Sequence, residues 1–351
     1  MRVLQVDSGR EWRGGQNQVR LLCQELAKHD DVDNHLLTSV ASPLAERARA
    51  AGVHVIETRW GIGLSPRAFF ALNRVARDAE PDIVHVHDSH SLALALWVRR
   101  FRPTLTAEPF ILFAHRRVDF HVKPKSGWHR AERIIAVSEG VKRVLVQDGV
   151  NGHDIVVIPD GIDPHEIGVN ALTSAHIRQR LGLPAAVPLA VNVAALVGHK
   201  DQRTFIRAAA AARARAPQLH WVIAGEGPLR ADLQREIANL GVGDIVHLVG
   251  YVEPVDALIK ESNVFVMSSK EEGMGSVVLH ALALEKPVVA TAAGGLPEVV
   301  APEWLAPVGD ADALAAKTLL ALEQAPRTSL PERFTAKAMA EAILAQYRVL
   351  A

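Results

Sequence analysis

The sequence predicts an α/β protein with two Rossmann-like domains, whose parallel sheets face each other across a cleft. The 351 residues are too many for one small core and suit two domains. Apolar runs rich in valine and isoleucine recur along the chain, and they are continuous rather than alternating, as strands buried on both faces should be. Helical stretches of about ten to fifteen residues separate many of these runs, which is the βαβ pattern of parallel sheets.

At least five strands are predicted on each side of a break in this pattern. They cover residues 3–6, 83–86, 111–114, 134–137 and 155–158, and then residues 189–193, 221–224, 245–249, 264–267 and 288–290. Residues 163–188 hold prolines, glycines and only a short helix near 175–181, which predicts an interdomain linker. The domains are therefore expected at residues 1–163 and 164–334, with the last helix, in residues 335–351, packing back on the first domain.

The composition excludes several classes of protein. Thirty-nine basic residues balance thirty-nine acidic ones, which argues against a nucleic-acid partner bound by bulk charge. Cys23 is the single cysteine, so no internal disulfide forms and a reducing compartment is expected. The N-terminus lacks a secretory signal core, and no apolar run approaches the roughly 18 residues of a membrane span. We therefore expect a cytoplasmic protein.

The segment most informative about chemistry follows the predicted strand 264–267. Its glycines allow a ligand to approach the backbone, and the helix that begins near Gly275 directs free N–H groups toward the strand ends, where phosphate binds. The carboxylate of Glu272 can accept hydrogen bonds from sugar hydroxyls. His280 shares a helix face with Ser276, and on its own it would be interpreted as a core histidine. The candidate ligand contacts are Glu272, Gly273, Met274, Gly275, Ser276 and His280.

The spacing from Glu272 to His280 resembles the Glu-x7-Glu motif of the family-four retaining glycosyltransferases, which have the GT-B fold. The resemblance implies that Glu272 contacts the donor sugar and that position 280 contacts the nucleotide ribose. It also implies an acceptor-side N-terminal domain and a nucleotide-sugar-binding C-terminal domain. His280 departs from the motif, and histidine is a weaker and pH-dependent acceptor. This departure predicts an altered affinity for the nucleotide.

Two further motifs occur where that family has its phosphate contacts. Gly14 and Gly15 resemble the glycine loop under the donor diphosphate and the acceptor. Without the resemblance they form an ordinary turn, since the sequence there lacks the G-x-G-x-x-G dinucleotide fingerprint. Lys200 matches the lysine that neutralises the diphosphate. Ala195 occupies the position of the family's arginine, so one phosphate contact is missing or is supplied by another basic residue.

Two glycine loops complete the resemblance in the second domain. Gly225 and Gly227 resemble the turn near the nucleotide base, and this turn is expected to open a helix with proline in its first turn. Gly295 and Glu298 lie in a loop that the resemblance places near the donor phosphates and sugar, and that loop is also expected to open a helix. Glu298 is alternatively a first-turn carboxylate favoured by the helix dipole.

In the first domain, His115 ends a predicted strand and resembles the family histidine that faces the reacting sugar. Arg116 and Arg117 follow it and are expected on the acceptor side. His85, His87 and His90 cluster at another strand end. Metal binding by this cluster is one interpretation, but we favour histidines that line the cleft and predict no metal.

Residues 99–143 carry eleven lysines and arginines against four acidic residues, a local excess of seven positive charges. Aromatic residues, Phe101, Phe120 and Trp128 among them, lie within this stretch. The simpler interpretation is a solvated surface. The alternative is contact with an anionic acceptor, or with an anionic membrane surface on the inner face of the cell membrane.

The resemblance therefore implies a retaining hexosyltransferase that works without metal or cofactor in polysaccharide or glycolipid assembly. It would move a sugar from a nucleotide-sugar donor, expected to be a UDP-sugar, to a glycan, lipid-linked or other hydroxyl acceptor. Lys200 and helix-end N–H groups would stabilise the leaving diphosphate. Two alternatives stay open: a nucleotide-sugar epimerase of the same fold, and a non-catalytic nucleotide-sugar-binding protein, which Ala195 and His280 favour.

Overall fold

The computed structural model describes residues 1–60, 65–101, 110–123, 126–173 and 176–351. The chain divides into two compact units. Unit 1 comprises Met1–Gly161 and Arg333–Ala351, and unit 2 comprises Ile162–Glu332. The prediction of two α/β domains with parallel sheets is confirmed.

In the described residues the strands are β1 (Arg2–Val6), β2 (Asp33–Ser39), β3 (His54–Thr58), β4 (Ile83–Val86), β5 (Ile111–Arg116), β6 (Arg133–Ala136), β7 (Ile155–Val157), β8 (Leu189–Val193), β9 (His220–Ala224), β10 (Val246–Gly250), β11 (Val264–Met267), β12 (Val288–Thr291) and β13 (Leu305–Ala306). The α-helices are α1 (Gly14–Leu26), α2 (Pro43–Ala50), α3 (Pro66–Ala79), α4 (Ser89–Phe101), α5 (Glu139–Gln147), α6 (Pro164–Leu172), α7 (Ile177–Arg180), α8 (Gln202–Ala212), α9 (Arg230–Asn239), α10 (Val255–Glu261), α11 (Ser276–Ala283), α12 (Ala311–Gln324) and α13 (Ala336–Leu350).

Unit 1 is a seven-stranded parallel sheet in the order β3-β2-β1-β4-β5-β6-β7. The chain returns to this unit through α13, which packs against α1. The buried stripe of α13 carries Met339, Ile343, Leu344 and Tyr347, at the spacing expected of one helix face. Burial of each such side chain stabilises the fold by roughly 1.5–3 kcal/mol, so α13 is an integral part of this core.

Unit 2 is a six-stranded parallel sheet in the order β10-β9-β8-β11-β12-β13. Its core includes Phe205 of α8 and Trp221 of β9, whose ring centres are 4.9 Å apart. In each unit the strand order reverses beside the first strand, at β1/β4 and at β8/β11. Open parallel sheets bind ligands at the carboxyl ends of the strands at such a point.

Several predicted elements differ from the structure. β2, β3 and β13 were not predicted. Part of the predicted linker forms α6, which is capped by Asp163 and packs against α10 in unit 2. The short helix predicted near 175–181 is Ile177–Arg180, and residue 175 lies outside the described residues.

Two of the predicted helix starts are also wrong. Helix α9 begins at Arg230, so Pro228 lies in the preceding turn rather than in the first helical turn. The loop with Gly295 and Glu298 opens only a 3-10 turn, Leu296–Glu298. Among the described residues, no helix combines the length and the apolar character that crossing a membrane requires.

Candidate functional site

The loops after three neighbouring strands of unit 2 meet at one edge of the sheet. The backbone N–H of Lys270, after β11, donates to the carbonyl of His199, after β8, over 2.8 Å. The N–H of Gly295, after β12, donates to the carbonyl of Glu272 over 2.9 Å. These bonds join the loops that carry the sequence motifs, at the carboxyl ends of the strands.

Lys200 and Glu272, which are 72 residues apart, meet in this structure. The Nζ of Lys200 lies 2.5 Å from Oε2 of Glu272, and the Ser269 hydroxyl donates to the same oxygen over 3.1 Å. The two charged side chains are only 19% and 10% exposed. A charge-assisted hydrogen bond in such a partly desolvated position fixes both groups and gives the site one cation beside one carboxylate.

Helix α11 begins beside this pair. Gly275 precedes it with φ +78°, and a β-carbon there would lie 2.8 Å from Cδ2 of Leu296. The positive φ therefore favours glycine, and a larger residue would also have to displace the buried Leu296 side chain. No side chain caps this helix, so its first N–H groups remain suited to an anion. Met274 is buried, while Ser276 at the helix start is half-buried.

The glycines of the other loops differ in how closely neighbouring atoms approach them. A β-carbon at Gly225 would lie 1.9 Å from the carbonyl oxygen of Ala194, and one at Gly227 would lie 2.5 Å from that of Leu196. Close packing of the β8 and β9 loops therefore explains these two glycines. Gly14 and Gly15 form the first turn of α1, and a β-carbon at Gly15 has no neighbour within 4 Å.

His280 is oriented by the carboxylate of Asp256, which no sequence motif indicates. Its Nδ1 lies 2.6 Å from Oδ1 of Asp256, and the other oxygen of Asp256 accepts from Asn170 over 3.1 Å. An ionised carboxylate only accepts hydrogen bonds, so Nδ1 donates to Asp256, and in the neutral imidazole Nε2 carries the lone pair. His280 can thus accept a hydrogen bond from a hydroxyl. Ala195 contributes no side-chain donor, and its carbonyl accepts from Gln202 over 2.9 Å.

Three histidines of unit 1 form a buried cluster at the carboxyl ends of β4 and β5. The ring centres of His85 and His87 are 4.4 Å apart, and His115 lies 5.4 and 5.7 Å from them. His90 lies elsewhere, with its ring against Trp60. The buried cluster therefore contains His85, His87 and His115, and it does not include His90, which was predicted to belong to it.

Arg117 fixes the protonation of this cluster. Its guanidinium donates to Nδ1 of His87 over 3.2 Å and to Nδ1 of His115 over 3.1 Å, and it pairs with Asp160 at 3.0 Å. A guanidinium has no acceptor, so the proton of each ring lies on Nε2. Burial, and then the Arg117 charge, hold the pKa of His115 well below its usual range. His115 is therefore neutral at pH 7.

The Nε2–H of His115 is a buried donor without a hydrogen-bond partner among the described residues. By contrast, Nε2 of His87 donates to Gln5 over 2.8 Å. Gln5 in turn donates to the Tyr347 hydroxyl, which lies 2.5 Å from Nδ1 of His85. Since unsatisfied buried donors are costly, the free donor of His115 is a candidate contact for a substrate oxygen.

One ring nitrogen from each histidine of the cluster lies within 4.8 Å of the other two. A metal ion could in principle use such nitrogens. Arg117, however, donates to two of the three rings and places a positive charge against them. This charge opposes cation binding, so the arrangement favours hydrogen bonding to a ligand over metal ligation.

Two more side chains of unit 1, Arg116 and Asp7, lie near the ends of strands that carry candidate site residues. Arg116 points toward a different region from Arg117: it donates to the carbonyl of Phe120 over 2.6 Å and lies 5.1 Å from the centre of the Trp128 ring. Asp7, missed in the sequence although it directly follows β1, is buried. Burial, with the nearby Asp88 charge, raises its pKa to about 6. It is held by Gly9 and Gln16 near the glycine loop.

Two family models match the chain. The one described as Glycosyltransferase Family 4 matches residues 12–166, and the one described as Glycosyl transferases group 1 matches residues 174–340. Together they cover most of both units. The chain belongs to the family-four glycosyltransferases.

Family members of known name match over part of the chain. The amylovoran biosynthesis glycosyltransferase AmsK of Erwinia amylovora is 29% identical over 234 residues, which are 63% of this chain and 55% of AmsK. The GDP-mannose-dependent alpha-(1-6)-phosphatidylinositol monomannoside mannosyltransferase of Mycolicibacterium smegmatis is 34% identical over 41% of this chain and 40% of that protein. The chain thus spans about half the length of such relatives.

The fold also matches a solved structure over nearly its whole length. The structure of Anabaena HepE in complex with UDP and glucose superimposes with a TM-score of 0.82. It covers 99% of this chain and all of its own chain, at 18% identity. This likeness confirms the GT-B fold predicted from the sequence.

Proposed function

We propose that this family-four glycosyltransferase moves a hexose from a nucleotide sugar to a hydroxyl acceptor, with retention of anomeric configuration and without a metal. The observation that carries the proposal is the meeting of Lys200, Glu272 and the uncapped start of α11. A cation and helix-end N–H groups suit a diphosphate, and the carboxylate suits sugar hydroxyls. The UDP and glucose in the HepE structure support a UDP-sugar as donor.

The groups of the candidate site in unit 2 have separate roles in the proposed reaction. As the bond between the anomeric carbon and the β-phosphate oxygen breaks, negative charge grows on the phosphate, and Lys200 and the α11 N–H groups stabilise it. Glu272 holds the sugar, and Nε2 of His280 accepts from a ribose hydroxyl. The diphosphate must draw Lys200 from Glu272, so donor binding frees the carboxylate for the sugar.

In unit 1, the neutral imidazole of His115 donates from Nε2 to an oxygen of the substrate. We favour front-face attack, in which the acceptor oxygen bonds to the anomeric carbon and its proton passes to the departing phosphate. Glycan assembly as the setting is supported by AmsK, which is named for amylovoran biosynthesis. A lipid-linked acceptor is supported by the relative named for phosphatidylinositol monomannoside.

The first experiment measures thermal stabilisation by nucleoside diphosphates and nucleotide sugars, with a chelator present. A ligand at about 100 times its Kd adds about 2.7 kcal/mol to the free energy of unfolding. We expect one nucleotide to stabilise the protein, and Lys200→Ala to abolish the effect. Lys260→Ala, an exposed lysine of the same unit, is the matched control.

Turnover separates the remaining candidates. A transferase releases the nucleoside diphosphate faster when an acceptor is added, whereas an epimerase converts the donor alone. A binding protein is stabilised by the nucleotide without turnover. Absence of stabilisation by any nucleotide would overturn the proposal, and a requirement for divalent metal would overturn its metal-independent form.

A further inference from the structure

Unit 1 contains a cavity of about 860 Å³ between α4 and the 3-10 helix Gly127–Arg130. Leu92 and Leu96 of α4 form part of one wall, and Trp128 forms part of the opposite wall. A cavity of this size can hold a ligand of several hundred daltons. It is distinct from the histidine cluster, but Arg116, which lines it, directly follows His115 at the end of β5.

The lysine and arginine side chains that line this cavity are not balanced by acidic side chains in its lining. Arg100, Arg116, Lys123 and Arg130 line it, and no aspartate or glutamate is among its described lining residues. Asp148 and Asp119 interact electrostatically with Arg116 from outside this lining, and Asp148 also lies 2.7 Å from His121 and accepts from the backbone N–H of Val122. Several cations around one concave surface concentrate anions there.

The same cavity is also apolar, and its apolar character continues onto the surface. Trp97 and Phe101 line it, and the Phe69 ring of α3 lies 4.6 Å from that of Trp97. Next to Phe69, Phe70 is 67% exposed, and Phe101 is 47% exposed. Large aromatic side chains exposed beside cations are typical of a surface that contacts an amphiphile.

We infer that this cavity binds a hydroxyl-bearing amphiphile in which an anionic group, a phosphate or a carboxylate, adjoins an alkyl chain, and that the hydroxyl of this amphiphile is the acceptor. The role of this amphiphile as acceptor rests on the proposed function, whereas its binding in the cavity does not. The cations hold the anionic head, and the leucine and tryptophan side chains hold the start of the chain. Arg116 then places the head next to the strand end that carries His115.

Dodecyl phosphate, below the concentration at which it forms micelles, is the probe for this site. Trp97 and Trp128 supply a fluorescence signal, and calorimetry gives the affinity. We expect dodecyl phosphate to bind at least about tenfold more tightly than inorganic phosphate or the neutral detergent dodecyl maltoside, because only it satisfies both halves of the site.

Charge reversal tests the location. Lys123→Glu combined with Arg130→Glu should weaken binding of dodecyl phosphate by about tenfold or more. Arg74→Glu combined with Arg143→Glu removes the same charge from exposed positions that do not line the cavity, and it should leave binding unchanged. Ala93→Trp, which fills the cavity from an exposed position of α4, should also weaken binding.

Four results would overturn the inference: equal binding of inorganic phosphate, equal binding of the neutral detergent, equal weakening by both charge reversals, or binding to anionic vesicles without binding of monomeric dodecyl phosphate. The last result would indicate a membrane surface instead. Nucleotide stabilisation of unit 2 is measured in the same variants. A protein that binds dodecyl phosphate but no nucleotide would refute the proposed function and leave the amphiphile site standing.

Discussion

A substitution at Gly15 can distinguish an effect on folding stability from an effect on ligand binding. It lies in the first turn of α1, and a β-carbon there meets no neighbouring atom within 4 Å. Gly15→Ala should therefore leave the free energy of unfolding unchanged or raise it by up to about 1 kcal/mol, since alanine restricts the unfolded chain. If the diphosphate or acceptor approaches this backbone, transfer activity should fall by about tenfold or more.

Gly168→Ala is the matched control for that prediction. Gly168 lies in α6, where a β-carbon also has open space, and it is outside the proposed site. Denaturant unfolding and initial transfer rates of both variants decide the outcome. Full activity in Gly15→Ala would contradict a substrate contact at the glycine loop.

The tautomer of His115 depends on its buried neighbours rather than on the histidine itself. Arg117 donates to Nδ1 and so selects the tautomer with the proton on Nε2, and burial together with the Arg117 charge lowers the pKa of the ring. Asp160 holds Arg117 in place. Removing Arg117 alone would leave Asp160 buried without its partner, at a cost of about 3–5 kcal/mol. The informative variant is therefore Arg117→Met combined with Asp160→Asn.

In this double variant we expect the imidazole of His115 to exchange between tautomers and its pKa to rise, because the adjacent positive charge is gone. Transfer activity should fall by about tenfold, with a steeper loss toward acid pH as the ring becomes protonated. ¹⁵N NMR of the labelled histidines reports the tautomer directly. Arg116→Met, which touches Phe120 and Trp128 instead, should leave the His115 signals unchanged.

At the scale of elements, three helices of unit 2 converge on Asp256. Asp256 of α10 joins Asn170 of α6 to His280 of α11. Asp256→Asn should free the His280 ring, weaken nucleotide binding by about tenfold and lower the free energy of unfolding by about 1–3 kcal/mol. Calorimetric titration with the stabilising nucleotide measures the first effect, and denaturant unfolding the second.

A compensating pair of substitutions checks this interpretation. His280→Glu alone places a second carboxylate against Asp256, and the repulsion should weaken nucleotide binding. His280→Glu combined with Asp256→Asn removes the repulsion and restores the glutamate of the family motif, so affinity should recover to at least that of the wild type. Equal affinity in all these variants would mean that the nucleotide does not contact position 280.

Strands that read as continuous apolar runs were predicted from the sequence, and strands without such a run were missed. Strands β8 and β11, in the middle of the second sheet, read as continuous apolar runs and were predicted with their observed bounds. β3 is an edge strand with polar, exposed positions, and β13 has two residues, so neither carries such a run. β2 reads DNHLLTS, and its polar residues hid an otherwise buried strand.

The candidate site was predictable only where a local motif carried it. Glu272 and Lys200 were found from glycine loops and spacing, and their pairing in the structure follows from the loops at one sheet edge. Asp256, Asp160 and Tyr347 were missed, because no local motif marks them and their partners lie elsewhere in the chain. The bond between Gln5 and Tyr347, for example, joins residues 342 apart. No periodicity or spacing encodes such a contact.

At the scale of the whole molecule, unit 1 is discontinuous in sequence whereas unit 2 is continuous. Unit 1 is completed by α13, and the Tyr347 hydroxyl bonds to Gln5 and His85 in its buried polar network. The four apolar or aromatic side chains of the buried stripe of α13 contribute roughly 1.5–3 kcal/mol each, which is comparable to the entire stability of about 5–15 kcal/mol of an ordinary domain. The first unit should therefore depend on the last residues of the chain.

This dependence predicts opposite behaviour for two fragments. Residues 162–332 contain their own sheet and core, so they should unfold cooperatively by themselves and be stabilised by the same nucleotide as the full chain. Residues 1–161 would expose the apolar surface that α13 covers and leave His85 without Tyr347, so they should not fold. Covalent addition of residues 333–351 through a flexible linker should restore cooperative unfolding, whereas the same addition with Ile343→Asp and Leu344→Asp should not. Circular dichroism during thermal unfolding distinguishes these outcomes. A cooperative transition in residues 1–161 alone, at the temperature of the repaired fragment, would show that α13 is dispensable to the unit it packs against.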